Sequence, residues 1–144
     1  MSASAASYAT GDTTGSSTET SAHNLVAGTN APSGYILYVK GDTLTSGANT
    51  ITAIGASMAS STIGSEQFGI RLTASGGSGA TISPYNFGTS YAYGATASVQ
   101  DDVGQATGAS ANTTYLVYYL ANIASQTESG AYSTTLTYTA TGTF

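Results

Sequence analysis

The chain has 144 residues, enough for one domain with a real core. Its charges are few: Lys40 and Arg71 against seven carboxylates and one histidine, for a net charge of -5. Two cations cannot neutralise a nucleic-acid backbone or an anionic lipid surface, no run reaches the ~18 apolar residues of a membrane span, and the absence of cysteine removes disulfides and thiolate metal sites.

In chain order, Met1–Thr18 is a low-complexity Ser/Ala/Thr/Gly segment with one aromatic, Tyr8. It has too little apolar surface to order itself alone. "MSASAASYAT" has neither the basic start nor the apolar stretch of a signal peptide. A first strand is predicted over Glu19–Thr29, with His23, Leu25 and Ala27 on one face. "NAPSG" (Asn30–Gly34) then reads as a turn. Tyr35–Lys40 alternates as a strand, with Tyr35, Leu37 and Val39 on one face. Thr43–Thr45 and Asn49–Ile54 form a predicted hairpin around "SGA". Ala56–Gly64 reads as a polar loop or one helical turn.

Glu66–Leu72 is the next strand, with Phe68, Ile70 and Leu72 inward, followed by the loop "ASGGSGA". Short strands are expected near Thr81–Ser83 and Ser90–Ala97. "DDVGQATGASAN" reads as a surface loop. Thr113–Ala124 is the most apolar stretch: Tyr115, Val117, Tyr119, Ala121 and Ile123 share one face, and Leu116, Tyr118 and Leu120 make the other apolar too. Ala131–Thr143 alternates Tyr132, Thr134, Leu136, Tyr138 and Ala140 against a row of Ser and Thr, as a half-buried strand does. Short alternating runs between Gly-rich turns, with almost no helical periodicity, define an all-β chain. The expected fold is one Ig-like or jelly-roll-type antiparallel β-sandwich over residues 19–144, preceded by an extended tail over residues 1–18.

Candidate chemistry is sparse. His23 has no nucleophile-elbow motif to pair with and reads as an edge-strand residue. The seven carboxylates, Glu66 and Glu128 among them, give no glycosidase spacing. Asp42, Asp101 and Asp102 could offer oxygen ligands to calcium but lack the EF-hand pattern. Lys40, at a strand end, could enter an isopeptide link only if buried beside an acid. Asn112-Thr113-Thr114 is an N-glycosylation sequon, and the 25 Thr and 21 Ser leave O-glycans open. Tyr115, Tyr118, Tyr119, Tyr132 and Tyr138 could make a sugar-stacking platform or simply pack. The expectation is a non-enzymatic protein with no cofactor and no metal ligand set. The low charge and the Thr and Tyr content point to an extracellular or cell-surface location.

"TNAPSGY" (Thr29–Tyr35), "LTSGANTI" (Leu44–Ile51), "EQFGIRLTA" (Glu66–Ala74), "YLANIA" (Tyr119–Ala124) and "GAYSTTLTYTATGTF" (Gly130–Phe144) occur in this order. Together they resemble uncharacterised secreted β-sandwich proteins of environmental bacteria with reduced genomes, from about Ser21 to Phe144. The resemblance implies a secreted or surface-attached sandwich with no known enzyme activity, and it brings no catalytic residue. The chain departs from it in having apolar Leu116 and Tyr118 at outward positions and an atypical segment before Ser21. In mode of assembly, it also resembles filament subunits that donate a strand to a neighbour.

Two functional expectations follow. One is a subunit of an extracellular fibre, partnered with itself. Its tail (Ala3, Ala5, Tyr8) would be donated to a neighbour, and Ile36, Tyr38, Leu116, Tyr118 and Leu120 would form one outer apolar patch if their two strands are neighbours. The other is a monomeric adhesin or carbohydrate-binding module using the tyrosines and the loops Ser75–Ala80 and Asp101–Ala111.

Overall fold

The computed structural model describes residues 18–86 and 88–144, with side chains from residue 23 onward. Eleven strands follow one another: β1 (Thr18–Thr29), β2 (Tyr35–Lys40), β3 (Thr45–Ser46), β4 (Asn49–Thr50), β5 (Gly55–Ser60), β6 (Gln67–Ser75), β7 (Ala80–Thr81), β8 (Ser90–Tyr93), β9 (Asp101–Ala106), β10 (Ser110–Asn122) and β11 (Thr137–Gly142). Among the described residues there is no helix. Five strands form one sheet in the order β1-β10-β6-β8-β5, and four form the other in the order β11-β2-β9-β7. All pair antiparallel, and β3-β4 is a separate two-stranded hairpin. The chain is an all-β antiparallel sandwich.

Period-two patterning decides which side chains meet. Leu25 and Ala27 from β1, Tyr115, Val117, Tyr119 and Ala121 from β10, and Phe68, Ile70 and Leu72 from β6 are buried in one cluster. Tyr35, Leu37 and Val39 from β2 and Val103 from β9 close that cluster from the second sheet. The core is unusually phenolic, so its hydroxyls need acceptors. Tyr35 and Tyr115 bond to each other at 2.9 Å, Tyr93 donates to the Gly41 carbonyl at 2.7 Å, and Tyr85 donates to Asp101 at 2.5 Å. The "NAPSG" turn closes with the Gly34 N–H on the Ala31 carbonyl, and Gly34 adopts φ 85°, a conformation open to glycine.

Four expectations change. Ala56–Gly64 is not a loop or helical turn at its start: Gly55–Ser60 is the edge strand β5, hydrogen-bonded to β8. Its side chains are small or polar apart from Met58 and largely exposed, so no apolar alternation announces it. "DDVGQATGASAN" is not a surface loop either. It supplies β9 and the start of β10, with Val103 fully buried. Val103 sits at a bulge between the pairs Leu37–Gly104 and Tyr38–Asp102, which breaks the alternation that would reveal a strand. The predicted hairpin shrinks to β3 and β4, and the strands near Thr81 and Ser90 end at Thr81 and Tyr93. The last strand begins at Thr137. Before it, the chain is held by paired bonds between Thr45 and Ser133.

Candidate functional site

One flank of the sandwich carries the edges of β1 and β11. β1 ends the first sheet and β11 ends the second, and no further strand is paired outside either of them among the described residues. The two edges lie over one another. The His23 ring of β1 sits 5.5 Å from the Tyr138 ring of β11, edge-on, and 5.8 Å from the Tyr119 ring of β10. The hydroxyls of Tyr119 and Tyr138 bond at 2.7 Å across the sheets. His23 itself follows a register shift in β1, and its Nε2 is buried with no hydrogen-bond partner among the described residues. Burial lowers the His23 pKa below the ordinary imidazole value and pushes the Tyr119 phenol up to about 12. Tyr138 is raised well above its ordinary value, first by burial and then by the neighbouring Tyr119.

The outward face of β10 is covered unevenly. Leu116 and Tyr118 are half-buried, whereas Leu120 is 0% exposed and Asn122 is buried. Tyr118 is roofed by Arg71 of β6, its register partner, whose guanidinium carbon lies 3.8 Å from the ring centroid. Leu120 pairs with Gly69, and a methyl group on Gly69 would come within 2.9 Å of both Ile54 and Tyr91. Those two side chains close over the glycine. At the next outward position the Asn122 amide donates to the Ser61 hydroxyl, the Thr62 carbonyl and the Gln67 side-chain oxygen, at 2.9, 3.3 and 3.0 Å. The Thr62 N–H returns a bond to Gln67 at 2.7 Å. The segment after β5 is thereby drawn over this end of the sheet.

The sandwich has two unlike ends. Thr18, Ala121, Phe68 and Gly41 mark the first, and Thr29, Ser110, Gly34 and Thr143 the second. Lys40, Asp42, Glu66, Asp101, Asp102 and Glu128 all belong to the first half, and the turns of the second carry no charge. At the first end lies a cleft of about 680 Å³ lined by Lys40, Asp42, Thr45, Ser133, Thr135 and Thr137, among others. Asp42 accepts from the Ala97 N–H at 2.8 Å, and the Thr134 hydroxyl bonds the Asp42 carbonyl at 2.6 Å.

The residues singled out from sequence fall into separate places. Ala3, Ala5 and Tyr8 lie outside the described residues. Ile36 and Tyr38 are on β2, and Leu116, Tyr118 and Leu120 are on β10, in the other sheet. The expected single patch is therefore split between opposite faces of the molecule, and Leu120 is covered within its own chain. The five candidate platform tyrosines do not share a surface: Tyr115 and Tyr119 are in the core, Tyr132 and Tyr138 pack against it, and Tyr118 faces outward under Arg71. Asp101 is occupied by Tyr85 and the Gly94 N–H, and Glu66 accepts from Thr127 and Thr52. Lys40 is exposed at the cleft rather than buried beside an acid, and Asn112 is exposed on β10. Among the described residues no three His, Asp or Glu side chains gather into a metal-holding group, and no helix is long and apolar enough to cross a membrane.

Asn122 and Gly69 were not singled out from sequence. Asn122 has a signal, as a polar interruption at an outward position of an otherwise apolar strand, whereas Gly69 stands in a row with Gln67, Arg71 and Thr73 and has none. Comparison with family models, curated proteins and solved structures finds no match to this chain.

Proposed function

We propose that this protein is a structural subunit of an extracellular or cell-surface fibre, assembling head to tail by strand addition, with no enzymatic role. The observation that carries the reading is the flank where, among the described residues, β1 and β11 leave 12 and 6 residues of strand edge open on the same side. Open edges invite pairing, and an added strand is bound mainly through its main chain, which suits a donor of small residues such as the Ala/Ser-rich segment before Thr18. That segment joins β1 at the charged end. Its 17 residues could span roughly 56 Å when extended, against roughly 40 Å for the 12-residue β1 edge. Head-to-tail stacking sets the end of one subunit whose turns bear no charged side chains against the carboxylate-bearing end of the next, and keeps the two carboxylate-bearing ends apart. Ile36 and Tyr38 on one face, and Leu116 and Tyr118 on the other, are then two separate lateral contacts.

Light scattering and electron microscopy of the full chain test this. Filaments that disappear when residues 1–17 are deleted support it. A monomer unchanged by the deletion rejects it.

The cleft beside Lys40 favours a second reading, a carbohydrate-binding module. Its ammonium, carboxylate and hydroxyl groups are the donors and acceptors that a sugar's hydroxyls use. Saccharide binding by the monomer that is lost in Lys40→Ala would select this reading.

A further inference from the structure

The lone histidine stands on the open flank, on the strand whose edge is in question, with a buried nitrogen that has no partner. Buried polar atoms without partners are uncommon and call for an account. The groups that face it are Tyr119 from β10 and Tyr138 from β11, and their hydroxyls are bonded to each other. Among the described residues no acceptor bonds Nε2, and Val117 is the register partner of His23. On β1 itself the nearest ionisable residue is Glu19, four positions earlier and paired in register with Leu120. A neutral imidazole tolerates this setting at modest cost. An imidazolium brings a second N–H donor and a full charge into it, with no acceptor for the Nε2 proton.

We propose that His23 is an acid-sensitive latch on β1: proton uptake by its ring loosens the Thr18–His23 half of the strand from the sandwich and withdraws the edge on which a neighbouring strand is laid. The loosening is a property of one subunit. Its consequence for assembly rests on the fibre reading above.

The register shift between Ser21 and His23 falls inside the released half, so its ladder is already interrupted next to the ring. Beyond His23, Leu25 and Ala27 are buried in the core and hold their half in place. The direction of the pH effect follows from burial. The ring takes up a proton less readily in the native strand than in an open one, so closing is favoured above the ordinary imidazole range and weakens as pH falls below it. One such group changes the closing equilibrium by at most tenfold per pH unit.

Hydrogen–deuterium exchange on the unassembled full chain, corrected for intrinsic rate, reads the latch directly. Between pH 7.5 and pH 5, peptides covering Thr18–His23 should lose about tenfold in protection while β2 and β6 hold theirs. His23→Phe, which keeps an aromatic ring between the two tyrosines, and His23→Gln, which keeps polarity without titration, should both remove the pH dependence. Equal protection of the segment at the two pH values, or the same loss in both variants, overturns the latch whether or not the protein forms fibres. Filaments that persist at a pH where β1 has opened overturn its control of the edge and leave the fibre reading intact.

Discussion

β10 and β11 are both Thr- and Tyr-bearing strands, yet they end in opposite environments. β10 lies between β1 and β6, and its outward face is half-buried or buried from Leu116 to Asn122. β11 stands at an edge, paired only with β2, and every residue of it but Tyr138 is exposed. The difference is not one of strand propensity. It comes from what the rest of the chain lays on top: Arg71 over Tyr118, Ile54 and Tyr91 over Gly69, and the segment at Ser61–Thr62 over Asn122. An apolar second face thus signals a cover, and most of that cover is supplied by the same molecule.

That contrast can be broken in a graded series. Leu120→Ala should cost about 2–5 kcal/mol in denaturant unfolding, because the side chain is fully enclosed, while Leu116→Ala on the same face should cost clearly less. Equal losses at the two sites would mean that the face is covered evenly. Asn122→Ala should cost about 1–3 kcal/mol and should raise amide exchange around Ser60–Thr62, since it releases three bonds to that segment and to Gln67. On β11, Tyr138→Phe should cost about 1 kcal/mol through the lost bond to Tyr119. Thr139→Val, at an exposed position, should stay within about 0.5 kcal/mol of the parent.

The tyrosines add a test in alkali. A phenol raised above its ordinary value holds its proton longer in the native state, so the stability it lends is present below pH 10 and is lost as pH rises. For Tyr119 that loss runs from pH 10 to about 12. Phenolate absorbance should therefore show a late group of tyrosines that titrate only as the protein unfolds.

The sandwich was legible because strands such as Tyr35–Lys40 and Gln67–Ser75 alternate cleanly and stop at Gly-bearing turns. β9 was not, because a bulge at Val103 and four polar or glycine neighbours hide its one deeply buried side chain. β5 was not, because an edge strand of Gly, Ala and Ser with a single exposed Met58 has no pattern to show. The membership of strands in sheets was also invisible. Alternation tells which residues share a face, but the pairing of β2 with β9 and β11 rather than with β10 is decided by contacts distant in sequence, and that pairing divided the expected patch. His23, by contrast, was rightly assigned to an edge strand, while its neighbours Tyr119 and Tyr138 come from strands far along the chain.

The long pairing of β1 with β10 has a mechanical meaning. β1 enters at one end of the sandwich and the chain reaches Thr143 at the other, so tension applied at those two points runs along the strands. Antiparallel ladder bonds lie perpendicular to that direction. The β1–β10 and β11–β2 ladders would then be loaded in shear, many bonds sharing the force at once, instead of being peeled open one rung at a time. Such a molecule resists stretching most strongly along the axis on which head-to-tail units would be pulled.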